Sequence, residues 1–174
     1  MWGRFAAILA IVSLPVLLIS AAPDAADEHF ARATQLGRQN KLERAEAEYQ
    51  AGLKLRPADA QAWNNLGVLY FQQQNLPWAI GAFEKAHKLT PRNSEVNFNL
   101  GLALSNNGQA QRAISYLTDA ARDGVRAAEA RFLLGTCWFE LQEWRQAITE
   151  LELARASQAG TPELLFLLVR AYRN

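Results

Sequence analysis

Apolar and small residues recur along the chain at helical spacing, most plainly between Ala60 and Asn93. Trp63, Leu66 and Tyr70 follow one another at steps of three and four residues, which sets them on one face of a helix. The polar run Gln72-Gln73-Gln74 interrupts the pattern as a turn. Ala79 and Phe83 resume it four residues apart, and Pro91 stops it. Two helices are expected, at about 60–73 and 76–89. Pro77 falls in the first turn of the second, where its missing N–H costs nothing.

The same landmarks return every 34 residues. Gly67 maps onto Gly101 and Gly135, and Leu66 onto Leu100 and Leu134. Ala79 maps back onto Ala45 and forward onto Ala113 and Ala147. Phe83 corresponds to Tyr49, Leu117 and Leu151, and Pro91 to Pro57. Repeats are therefore expected at residues 26–59, 60–93, 94–127 and 128–161, with a half-repeat at 162–174 and a linker at 23–25. Gln39-Asn40 and Asn107-Gly108 read as turns within repeats, and Asp123-Gly124 and Gly160 as helix ends. Thr161 suits an N-cap and Pro162 the first helical position. The first repeat is degenerate, with Ala33 in place of the glycine and Leu36 in place of Tyr70. A glycine inside a helix costs roughly 0.5–1 kcal/mol relative to alanine. Three at one phase imply close approach of the second helix, with the alanines doing the same from the other side.

The motif W-x2-L-G-x2-Y, then A-x3-F, then P, resembles the tetratricopeptide repeat. The resemblance implies an all-α chain folded as a right-handed α-solenoid of helical hairpins, whose first helices line a concave groove for another protein or peptide. Carried onto this chain, the groove positions are Phe30, Asn64, Phe98, Phe132 and Phe166, then Val68, Leu102, Thr136 and Arg170, then Phe71 and Phe139, and Arg38, Gln72 and Asn106. The alternative for any one phenylalanine is packing between neighbouring helices. Asn64 is the exception in its series and the expected polar recognition point. Some members of the family grip a C-terminal carboxylate with lysine in the series of Phe30 and asparagine in the series of Val68; the first series here carries phenylalanine or asparagine, and the second carries no asparagine.

Composition narrows the function classes. Apolar residues make up 50% and charged residues 20%, and the net charge is +1, which argues against disorder and against a nucleic-acid partner. The single cysteine, Cys137, sits in the apolar run LLGTCWF and reads as core. It forms no zinc ligand set with His29 and His87, which fall at different phases of different repeats. No G-x-S-x-G, Walker or H-E-x-x-H pattern is present, so no enzyme and no cofactor are expected. Glu43, Glu46 and Glu48, with Lys41 and Arg44, read as a solvated helix surface, and Trp78 and Trp144 as packing residues.

Residues 1–22 read as a signal peptide or an N-terminal membrane anchor: Arg4, an uncharged run from Phe5 to Ala22, and small residues at its exit. Pro23 favours the anchor, and no cysteine follows for a lipoprotein leader. Either reading exports the rest of the chain, because Asp24, Asp27 and Glu28 follow the apolar run. The expectation is a non-enzymatic binding scaffold outside the cytoplasm, in a bacterial periplasm. The alternative is the adaptor region of a larger protein. The final stretch ELLFLLVRAYRN is apolar enough to pack on further sequence or to self-associate.

Overall fold

The structure is a computed structural model that describes residues 24–123, 126–157 and 161–174. The expected leader, Gly124 and Gly160 lie outside the described residues. Every regular element among those described is a helix: α1 (Ala25–Arg38), α2 (Leu42–Leu55), α3 (Ala60–Gln72), α4 (Leu76–Leu89), α5 (Ser94–Asn106), α6 (Ala110–Asp123), α7 (Ala127–Glu140), α8 (Trp144–Ser157) and α9 (Pro162–Tyr172). None of them is long and apolar enough to cross a membrane.

Consecutive helices pair as hairpins, and hairpins stack in chain order. Each odd-numbered helix also approaches the next odd-numbered one, whereas successive even-numbered helices stay apart. The stack is therefore shorter on the odd-helix side, and that side is concave.

Four turns with one geometry set the hairpins. Asn40, Gln74, Gly108 and Gln142 all have left-handed φ, at 57°, 59°, 70° and 63°, and they stand 34 residues apart. After each, a backbone N–H reaches back to the preceding helix: Lys41 to Leu36 (3.0 Å), Asn75 to Tyr70 (2.9 Å), Gln109 to Leu104 (2.9 Å) and Glu143 to Trp138 (2.9 Å). This is a Schellman ending, which satisfies carbonyls the helix would otherwise leave open. The first two turns between hairpins are held by side chains. Trp63 Nε1 donates to the Pro57 carbonyl at 2.9 Å, and one period later Asn97 Nδ2 donates to the Pro91 carbonyl at 3.0 Å. Arg56 joins Asp24 (2.6 Å), Asp27 (2.9 Å) and Asp59 (3.3 Å), tying the starts of α1 and α3 to the end of α2. Asp24 and Asp59 are themselves N-caps, as are Asn93 and Thr161.

The glycine expectation holds and can be given a distance. A Cβ on Gly67 would lie 2.5 Å from the Phe83 ring, on Gly101 2.6 Å from Leu117, and on Gly135 2.5 Å from Leu151. Those are the residues one period apart on the second helices. Ala45, Ala79, Ala113 and Ala147 are fully buried opposite them. The first hairpin inverts the arrangement: Ala33 stands on α1, and the notch is Gly52 on α2, filled by the Phe30 ring. Cys137 is buried, as expected, and burial pushes its thiol pKa up.

Candidate functional site

The odd helices bring the sequence-derived groove residues to one side of the molecule without merging them into one channel. Between α1 and α3, Arg38, Val68 and Gln72 share a cavity of about 270 Å³ with Thr34, Tyr49 and Asn65. Between α5, α7 and α9, Phe98, Leu102 and Phe132 share a second cavity of about 450 Å³, closed by Arg126, Glu129, Thr161 and Glu163. Towards the end of the stack Arg170 lies 5.2 Å from the Phe139 ring and 5.6 Å from the Phe166 ring. Phe139 in turn meets Trp144 edge-on at 5.1 Å, so Trp144 packs as expected.

Several of these residues are committed to internal contacts. Asn64 is 2% exposed, and its Oδ1 accepts from Asn99 Nδ2 at 3.0 Å. The expected polar recognition point is thus a buried amide pair joining α3 to α5, because a lone buried amide would lose its water without replacement. Phe98 is also 2% exposed and is roofed by the Arg126 guanidinium 3.7 Å from its ring. Phe30 fills the Gly52 notch and sits 6.5 Å from the Tyr49 ring. Phe71 and Leu102 pack against the main core while keeping part of their surface. The Thr136 hydroxyl donates to the Phe132 carbonyl at 3.0 Å. Arg38, Gln72, Asn106, Phe166 and Arg170 are exposed.

Chemically the 450 Å³ cavity offers the Phe132 ring and three leucines, Leu102, Leu133 and Leu164, with the Phe98 ring beneath Arg126, and one cation and two carboxylates in its lining. Arg126 pairs with Glu129, which orients the guanidinium over Phe98. Such a surface takes apolar side chains and orients polar backbone; nothing in it is arranged as a nucleophile beside a base. Among the described residues no group of carboxylate, histidine and cysteine side chains could hold a metal. His29 and His87 are far apart in use: His29 Nδ1 pairs with Glu48 at 2.6 Å, and His87 Nδ1 with Asn97 Oδ1 at 2.7 Å. Glu46 accepts from the Tyr70 hydroxyl at 3.0 Å, so the α2 carboxylates are not simply solvated: two of the three have internal partners.

Arg126, Glu129 and Glu163 escaped the reading of the sequence. Arg126 lies in a turn between hairpins, and the landmark periodicity follows helix interiors only. The two glutamates stand at one phase, 34 residues apart. Trp78 packs only on one face: its ring lies 5.7 Å from that of Tyr70 on α3, yet the residue is 62% exposed, because its place beside Pro77 in the first turn of α4 leaves the other face uncovered.

A family model for the cytochrome c-type biogenesis protein H TPR domain matches residues 39–157. The chloroplastic tetratricopeptide repeat domain-containing protein PYG7 of Arabidopsis thaliana is 37% identical over 62 residues, 36% of this chain and 21% of that protein. The chain thus spans about a fifth of that relative's length. Among solved structures, YrrB, a TPR protein with an unusual peptide-binding site, superposes with a TM-score of 0.79 at 27% identity, over 86% of this chain and 77% of that one. MamA superposes with a TM-score of 0.81 at 22% identity, over 85% and 81%, a likeness of fold alone. With the family model spanning most of the described helices, the chain belongs to the tetratricopeptide-repeat family, in the group of the cytochrome c-type biogenesis protein H TPR domain.

Proposed function

We propose that the chain is a non-enzymatic scaffold that holds an apolar or amphipathic peptide segment of another protein against its concave side. The observation that carries this is the cavity between α5, α7 and α9, where Leu102 and Phe132 from two neighbouring helices face one space and the buried Phe98 ring, under Arg126, forms part of the wall. Family membership and the peptide-binding likeness of YrrB support the same reading. The scaffold acts outside the cytoplasm, in a periplasm or tethered to the membrane, with residues 1–22 as cleaved leader or retained anchor; their composition supports this.

The test uses the full chain and peptides selected against it from a random display library. Phe132 is the residue to change, since it is only partly buried, whereas truncating Phe98 would unsettle the core. Phe132→Ala should weaken the selected peptides by roughly thirtyfold, a loss of about 2 kcal/mol, with the helical circular dichroism unchanged. Unchanged affinity would take the site away from this cavity.

A second reading has its own observation. On α9, Leu165, Val169 and Tyr172 are 46%, 59% and 62% exposed, along one face. That face supports an adaptor region of a larger protein, or self-association through α9. A sedimentation profile independent of concentration, with Val169→Glu indistinguishable from wild type, would remove self-association.

A further inference from the structure

On the opposite side of the stack, the even helices α2 and α4 stand apart and leave a groove floored by α3. Its volume is about 590 Å³, larger than either cavity on the concave side. Leu53 and Lys54 line it from α2, Trp63 and Tyr70 from α3, and Trp78 and Lys85 from α4.

Three independent features of this groove lack an explanation in the folding of the chain. The first is Gly81, in the middle of α4. A Cβ there would meet nothing within 4 Å, unlike the glycines of the hairpin notches. A helix-interior glycine is destabilising by roughly 0.5–1 kcal/mol, and here no neighbouring atom requires it, while its missing side chain leaves the groove wall open. The second is Trp78, which exposes most of a large apolar ring at the rim. The third is charge. The lining contains two lysines and no carboxylate. Neither Lys54 nor Lys85 forms an ion pair among the described residues. The Lys85 ammonium is held 3.9 Å over the Trp63 ring, which fixes a cation at the edge of the apolar floor. The Tyr70 hydroxyl donates to Glu46 at 3.0 Å and accepts from Gln50 Nε2 at 3.3 Å, which fixes its ring in the groove floor.

We infer that the α2–α4 groove is a second binding site, and that it takes a short acidic, apolar peptide segment of a partner protein. Apolar side chains would enter over Gly81 and against Trp63 and Trp78, above the buried Tyr70 ring, and a carboxylate would meet Lys54 or Lys85. A cleft of this volume lies within the range of about 300–1,000 Å³ that encloses small ligands, so it accepts a few side chains. A recessed cleft between two helices suits an inserted segment better than a flat lipid surface.

The experiment is fluorescence polarisation with the full chain and a fluorescein-labelled peptide that alternates phenylalanine or leucine with aspartate. The same peptide with lysine for aspartate is the charge control. The aspartate peptide should bind, and the lysine peptide should not. Gly81→Leu fills the open wall, where an added Cβ meets nothing within 4 Å, and should weaken binding by about tenfold or more, and Lys85→Glu should do the same from the rim. Phe132→Ala, on the concave side, should leave this binding intact, so failure here is separable from failure of the concave site. Equal binding of both peptides, no binding, or indifference to both substitutions overturns the inference. So does loss with Phe132→Ala alone. A wild-type dimer in sedimentation that Gly81→Leu dissociates would make a second copy the occupant, and flotation with phosphatidylglycerol vesicles that Gly81→Leu abolishes would make it a membrane; either outcome overturns the peptide assignment.

Discussion

Gln74 and Gln142 occupy a backbone conformation that Gly108 occupies without penalty. For a residue with a Cβ the left-handed region costs roughly 1–2 kcal/mol, and glycine's extra chain entropy offsets part of that. Gln142→Gly should therefore stabilise the chain by about 0.5–1 kcal/mol, and Gly108→Gln should destabilise it similarly; denaturant midpoints measure both. Charge at single residues makes a different forecast. The hydrogen bond with His29, aided by the Arg32 guanidinium, holds the Glu48 carboxyl below its ordinary value of 4.5. The Asp27 backbone N–H, then Arg56, hold Asp24 below 3.8. Both groups bind fewer protons folded than unfolded. Their contribution is complete above those ordinary values and is lost as pH falls through the lower folded ones. The thermal midpoint should thus drop on acidification below about pH 4.5, and Glu48→Gln with Asp24→Asn should flatten that limb.

At the scale of the element, each hairpin is decided by what stands at its notch. Gly101→Leu would drive a side chain into Leu117 and should cost about 1–3 kcal/mol or more, while Gly81→Leu enters open space and should raise the thermal midpoint by replacing a helix glycine. The same substitution thus takes opposite signs on two helices, overpacking deciding at Gly101 and helix propensity at Gly81. Phe98→Ala should cost about 3–5 kcal/mol, since the ring is core, and binding measured on it would report folding. On α9, Val169 stands at the glycine phase of the other hairpins. Any helix that packs on this face must sit further out than the second helices do elsewhere, unless the notch is moved as it is in the first hairpin.

At the scale of the whole stack, contacts among the described helices run only within a hairpin or between neighbouring hairpins, so stability is close to a sum of hairpins and their interfaces. The middle is the best buried: Leu100, Leu104 and Leu117 are wholly enclosed in α5 and α6. Amide hydrogen exchange should be slowest there and, among the described helices, fastest in α1 and α9, which pack on described helices from one side. Uniform exchange along the chain would mean that the hairpins unfold as one unit. In Gly101→Leu the two halves should separate into distinct unfolding steps.

The period of 34, the hairpin pairing and the glycine notches were legible from Gly67, Gly101 and Gly135, because close packing demands a residue without a side chain at one fixed phase. The left-handed turns were legible at Asn40 and Gly108 but hidden at Gln142, where glutamine carries no such signal. Which side of each helix meets a partner was not legible. Asn64 read as a lone polar residue in an aromatic series, yet it is buried against Asn99, 35 residues on, a pairing that exists only once α3 and α5 lie side by side. Trp78 read as packing, yet it is exposed over a groove whose two walls are not neighbours in sequence. Periodicity within one chain segment fixes what a helix buries against its hairpin partner. The surfaces left between helices of different repeats depend on their spacing and curvature, and those only the assembled stack decides.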